Sequence, residues 1–323
     1  MLVVVKPMRW DAEMAKGFDP CTMNVTMGMC MEWKSPYNYL TKLLEGGEFH
    51  FSFSALFVLF LCLNTHENKW FRIQMRIAVL LSGQPRFLER CYPYIYEFIL
   101  RPNGMPDVFA HLWWSTDSCD LPYKFGGDGG WKYQRISTTA PETFCKLYEP
   151  LRICIEPPKT WKFAAPNPAA MSEKITEAAS EEDPSFERIL SNNISMFHSM
   201  YRANELKKAY EQEQGFRYDW VIRLRTDLEI YTPVVCRELR PNIFYFSDIG
   251  QTPQFVCDWL NVANSTQMDV ATRVWADFEE LFVKHYGKDS TEKFSNEHIL
   301  RHQLVDAGIH TQSVKWRVTL PRF

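Results

Sequence analysis

The segment Trp220-Val-Ile-Arg-Leu-Arg-Thr-Asp-Leu-Glu229 concentrates reactive side chains at the end of an apolar run. Asp227 and Glu229 lie two residues apart. In an extended chain their carboxylates project to one side, where they can share a hard divalent cation. Arg223 and Arg225 repeat the two-residue spacing and supply planar cations suited to phosphate oxygens. A surface strand carrying paired charges has the same spacing, so the spacing alone leaves both readings open. His111, inside the apolar stretch Asp107-Val-Phe-Ala-His-Leu-Trp-Trp114, reads as a satisfied core histidine rather than a ligand.

The elements that position these residues follow from periodicity. Arg76-Ile-Ala-Val-Leu-Leu-Ser-Gly83 is a continuous apolar run ending in Ser-Gly, the pattern of a buried parallel strand and its loop. Residues 87–100 have helical spacing and 107–114 read as a strand. A glycine-rich loop follows at 126–130, then a short strand at 152–156 before Pro157-Pro158. The polar stretch from Lys159 to Pro184 predicts a mobile loop that orders when ligand binds. Apolar residues at helical intervals between Asn193 and Gln214 predict a long helix closed by Gly215, leading into the strand at Tyr218. A strand at 242–246, amphipathic helices at 268–286 and 296–307, and a strand-like stretch at 308–318 complete the pattern. Strands alternating with helices predict an α/β fold.

Composition narrows the function classes. The formal charge of -3 over 323 residues supplies no basic field of the kind that holds a nucleic-acid backbone. The nine cysteines contain no CxxC pair, which argues against a zinc ribbon or disulfide framework and fits a reducing, cytoplasmic setting. Residues 1–74 hold 7 of the 13 methionines and show no sustained period. Within them, the apolar residues 51–63 are too short for a membrane helix, which disfavours membrane anchoring. The expected main domain is 75–323, preceded by an extension at 1–74 that is either non-native or a weak anchor, with Met75 as the functional start. The absence of GxGxxG after the first strand argues against a dinucleotide-binding enzyme.

Four motifs together resemble a group of GT-A-like glycosyltransferases found in bacterial surface-polysaccharide clusters and in large DNA viruses. They are Arg76-Ile-Ala-Val-Leu-Leu-Ser-Gly-Gln-Pro-Arg86, Asp107-Val-Phe-Ala-His-Leu-Trp113, Tyr218-Asp-Trp-Val-Ile-Arg-Leu-Arg-Thr-Asp-Leu228 and Asn296-Glu-His-Ile-Leu300. The resemblance covers residues 75 to about 309. It implies a Rossmann-related, mixed and mainly parallel sheet flanked by helices, and transfer of a sugar from a nucleotide-sugar donor to a glycan hydroxyl. For a viral member, the cytoplasm in question is the host's. Asp227-Leu-Glu229 occupies the place of the Asp-x-Asp motif, which holds Mn2+ or Mg2+ on the donor diphosphate, with Glu a departure at the third position. His310 would be the histidine that closes that metal site.

Arg223 and Arg225 would supplement or replace the cation in stabilising the leaving diphosphate. The loop Ser82-Gly83-Gln84-Pro85-Arg86 would meet the nucleotide through its amides and Arg86. Glu297 would be the base that deprotonates the acceptor hydroxyl, with Asp258 as the alternate. A first-turn helix Glu after a Ser295 or Asn296 cap has the same sequence signature as Glu297. The competing function class is a catalytically silent carbohydrate-binding or scaffold protein on the same fold; turnover of a nucleotide sugar discriminates the two.

Overall fold

The computed structural model describes residues 2–4, 75–119, 123–127, 130–159, 161, 185–250, 255–286 and 294–321. The chain divides into two compact units, one of residues 1–6 with 75–323 and one of residues 7–74, and every described residue belongs to the first. The apolar stretch 51–63 lies outside the described residues. So does nearly all of the expected mobile loop, where only 159 and 161 are described. Among the described residues no helix is long and apolar enough to cross a membrane.

The architecture is α/β, built on a mixed and mostly parallel sheet. Its first long strand, β2 (Ile77–Gly83), is an unbroken apolar run because both faces are covered. To one side lie β3 (Asp107–Trp113) and β6 (Arg152–Glu156), both parallel, with the short β1 (Leu2–Val4) antiparallel at the edge. To the other side lies β7 (Trp220–Arg225), parallel to β2. Beyond it β10 (Leu260–Ala263) runs antiparallel to β7 and to β9 (Phe244–Ser247), and β11 (Thr311–Val314) runs parallel to β9. The order is β1-β6-β3-β2-β7-β10-β9-β11. Strand addition therefore proceeds outward from β2 to β6, then resumes on the opposite side of β2 at β7. Such a reversal leaves a crevice at the carboxyl ends of the two central strands.

Alternation along the strands assigns two cores. Ala78, Leu80, Phe109 and Val221 face α3 (Ser185–Gln214), α4 (Ser265–Thr272), α5 (Phe278–Tyr286) and α6 (Asn296–Asp306). Val79, Leu81, Ala110 and Ile222 face α1 (Leu88–Ile95) and α2 (Ala140–Tyr148). Gly215, with φ of 68°, closes α3 in the left-handed region and turns the chain into β7. The fully buried Lys207 of α3 lies 2.8 Å from Asp269 and 3.4 Å from Glu211. Its burial is offset by these two carboxylates, and the pair with Asp269 binds α3 to α4.

Several elements differ from the periodicity. The expected single helix over 268–286 is two, α4 and α5, joined by a 3-10 turn at Arg273–Trp275. The expected helix over 87–100 is α-helical only to Ile95 and π-helical over Tyr96–Leu100, after Pro93 has removed one backbone donor. Of the glycine-rich loop, Gly126 and Gly127 belong to β4 (Tyr123–Gly127) and Gly130 to β5 (Gly130–Gln134), which pair antiparallel, and 128–129 lie outside the described residues. The strand-like stretch 308–318 splits into β11 and β12 (Val318–Thr319), and β12 pairs with β8 (Glu229–Ile230) in a separate two-stranded sheet.

Candidate active site

The loops that follow β2 and β7 lie side by side at the carboxyl ends of these strands, where the strand order reverses. Gly83 has φ of 125°, a conformation that strains any side-chain-bearing residue, so the loop departs β2 through glycine. The Arg86 amide then donates to the Gln84 carbonyl at 2.8 Å, and the Arg86 guanidinium donates to the Gln84 side chain, with Nε at 2.7 Å. Thr226 donates its hydroxyl to the Gln84 carbonyl at 2.6 Å and clamps the two loops together.

Arg225 and Asp227 form a two-pronged ion pair. Nε and Nη2 of Arg225 donate to Oδ1 and Oδ2 of Asp227 at 2.8 and 2.9 Å, the fork geometry in which arginine binds carboxylate most strongly. Burial alone would raise the pKa of Asp227, but Arg225, the nearby charge of Arg86 and a backbone hydrogen bond outweigh it, and the pKa is lowered. Arg223 is fully buried. Its Nη1 donates to the Asp258 carbonyl and its Nη2 to the Ser82 hydroxyl at 3.3 Å. Arg223 thus holds the loop before β10 against β2 and does not line the crevice as a phosphate ligand.

Asp258 is buried. Burial and the charge of Glu297 raise its pKa, and Arg223 and Arg225 offset this only in part. That coupling brings the first turn of α6 to the same place. Ser295 caps the helix by accepting from the His298 amide at 3.1 Å, and the Glu297 carbonyl accepts from the Val256 amide at 3.4 Å. Glu297 is half-buried. The structure therefore gathers Ser82, Gln84, Arg86, Arg225, Asp227, Asp258 and Glu297 at one end of the sheet, although they are far apart in sequence.

The expected metal ligands do not converge. Both oxygens of Asp227 are taken by Arg225. Glu229 turns away into β8, where it accepts from Arg90 at 2.6 Å, from the Tyr231 hydroxyl at 2.9 Å and from Thr319 at 3.5 Å. His310 is corrected outright. It precedes β11, and the register through β9 and β10 places it level with Trp220, the first residue of β7, at the opposite end of the strand from Arg225. The residues present do not fit a cation shared by Asp227, Glu229 and His310.

A second polar group escaped the periodicity. On the same sheet face, the register runs from Cys154 to His111, Ser82 and Arg225. His111 Nδ1 meets Ser199 Oγ of α3 at 2.8 Å. Burial lowers the His111 pKa to about 3, although Glu156 opposes the shift. Next to it the buried His198 stacks on Trp113, with ring centroids 5.1 Å apart, and contacts Trp161 and Trp275 edgewise or at a tilt. The only sequence signal for this group was polarity inside apolar strands, at His111 and at Glu156. No protein-family model matches the chain, and no curated protein matches it in sequence.

Proposed function

We propose that this chain is a glycosyltransferase that moves a sugar from a nucleotide-sugar donor to a hydroxyl of a glycan acceptor. The observation that carries the reading is the convergence of an arginine–carboxylate fork with a second pair of carboxylates at the crevice where strand order reverses. Departure of a sugar from a diphosphate develops negative charge on the leaving phosphate, and fixed cations aimed there stabilise it. Arg225, oriented by Asp227, and Arg86, oriented by Gln84, supply those cations. Asp227 then serves as a positioning residue that holds the Arg225 fork, not as a metal ligand. The mixed, mostly parallel sheet with helices on both faces is compatible with a GT-A-like domain.

Glu297 is the base in this reading. It is half-buried, so an acceptor hydroxyl can reach it, whereas Asp258 is enclosed. The acceptor oxygen attacks the anomeric carbon, its proton passes to the Glu297 carboxylate, and the bond to the donor phosphate breaks with its electron pair on the diphosphate. Asp258, whose proton affinity is raised by burial and by Glu297, sets the charge behind the base.

The test is release of nucleoside diphosphate from a panel of nucleotide sugars, with and without simple saccharide acceptors. Glu297→Gln is expected to lower turnover about 100-fold or more, the scale of a lost general base, while donor binding by thermal shift is retained. A protein that binds donors yet turns none of them over would instead be a silent carbohydrate-binding or scaffold protein.

A further inference from the structure

His111, Cys154 and Glu156 bring one nitrogen, one sulfur and one oxygen donor together on neighbouring strands, with these atoms all within 4.8 Å of one another. Ser199 Oγ lies 2.8 Å from Nδ1 and 3.3 Å from the His111 carbonyl, and when its proton goes to the carbonyl Nδ1 carries the ring proton and donates to Oγ. Nε2 is then a bare lone pair. It is buried and makes no hydrogen bond, and His111 as a whole is 0% exposed. A buried acceptor left unmatched is costly unless something completes it. The group it faces is Glu156, 3.8 Å away, and the Cys154 thiol lies 3.6 Å from the same Glu156 oxygen.

We propose that His111, Cys154 and Glu156 form a binding site for a zinc ion, with water as the fourth ligand. Usual zinc bond lengths in a tetrahedron put sulfur and oxygen ligands about 3.6 Å apart and nitrogen and oxygen ligands about 3.4 Å apart, so the sulfur–oxygen pair at 3.6 Å already fits, the nitrogen–oxygen pair at 3.8 Å must close slightly, and the nitrogen and sulfur, within 4.8 Å, must draw together around the ion. The mixed donor set suits a borderline-soft ion better than magnesium or calcium. Ser199 is the outer partner that orients the ligating imidazole through its other nitrogen. Binding expels the Cys154 thiol proton to solvent, so affinity rises with pH.

Two cations compete for the site. Arg202 donates to Glu156 Oε1 at 3.1 Å and to Cys154 Sγ at 3.6 Å, and Lys159 donates to Glu156 Oε2. The Arg202 side chain is 39% exposed and can swing into solvent, whereas Lys159 contacts the oxygen that the ion does not need. Zinc therefore replaces Arg202. The site lies one strand beyond Ser82, and it stands whether or not the chain transfers sugars.

Metal-stripped full-length protein titrated with Co2+ is expected to develop thiolate-to-cobalt charge transfer and tetrahedral d–d absorption that saturate at one equivalent, and Zn2+ is expected to bleach both. Cys154→Ser is expected to abolish the charge-transfer band, while Cys236→Ser leaves it intact. Since a change at the buried Cys154 can harm folding, Glu156→Gln at the partly exposed rim provides a second measure, with zinc affinity about tenfold weaker or more in chelator competition. Arg202→Gln, which removes the competitor, is expected to tighten it. Absence of the band in wild type, its persistence in Cys154→Ser, or affinity unmoved by both Glu156→Gln and Arg202→Gln would overturn the proposal.

Discussion

Arg225 and Asp227 illustrate how spacing specifies a face but not a partner. Residues two apart in an extended chain share a side, which is why Asp227 and Glu229 looked like a cation pair. The same rule applies to Arg225 and Asp227, and the longer arginine reaches its neighbour first. Metal removal is therefore expected to leave nucleoside-diphosphate binding unchanged, as judged by calorimetry in excess chelator and in Mn2+. A strict Mn2+ requirement would restore Asp227 as a ligand. Arg225→Lys keeps the charge and loses the fork, and turnover is expected to fall at least tenfold in the donor assay.

The buried imidazoles make a separate prediction. Burial lowers the pKa of His111 to about 3 and of His198 to about 4, against an unfolded value of 6.5. Below pH 6.5 the unfolded chain binds protons that the folded one refuses, so stability falls as pH falls. Each histidine contributes a slope of about 1.4 kcal/mol per pH unit down to its folded pKa. Urea unfolding between pH 6.5 and 4.5 is expected to show this steep loss and His198→Phe to reduce it; an unchanged slope in that variant would refute the assignment.

At the scale of elements, the cap of α6 links folding to the site. Ser295 accepts from the His298 amide and so fixes the first turn that carries Glu297. Ser295→Ala is expected to cost about 1 kcal/mol in denaturant unfolding and to lower turnover by more than that loss of folded protein explains. Asn264, which accepts from the Gln267 amide at 2.9 Å, caps α4 away from the crevice. Asn264→Ala is the matched control, with a similar stability loss and unchanged turnover. The long strands were readable as unbroken apolar runs, and α3 by its apolar residues at helical intervals. β10 was not, since its four residues include the buried polar Asn261, whose side-chain amide donates to the Cys257 carbonyl at 2.7 Å.

For the whole molecule, both apolar cores are, among the described residues, assembled from residues at or after Met75. The fragment 75–323 is therefore expected to fold with one cooperative transition by far-UV circular dichroism. Leu2–Val4 pairs along β6, so the fragment uncovers that strand's edge and is expected to associate more readily at high concentration in sedimentation. A fragment without cooperative unfolding would show that the N-terminal segment is integral to the fold.

The α/β class, the central strands and the α6 start at Asn296-Glu297 were determined by the sequence itself, because apolar periodicity and capping are local properties of the chain. The loop Ser82 to Arg86 was equally legible, since a glycine must follow a buried strand that turns sharply. Which charges meet was decided only in three dimensions. β10 turns back between β7 and β9 and delivers Asp258 to Arg223; β12 draws Glu229 into its own small sheet; and the strand register carries His310 to the far end from Asp227. Cys154 joins His111 because β6 lies beside β3, and no local pattern encodes that adjacency. Ion pairs and ligand sets depend on separations of a few ångströms between distant segments, which chain periodicity does not specify.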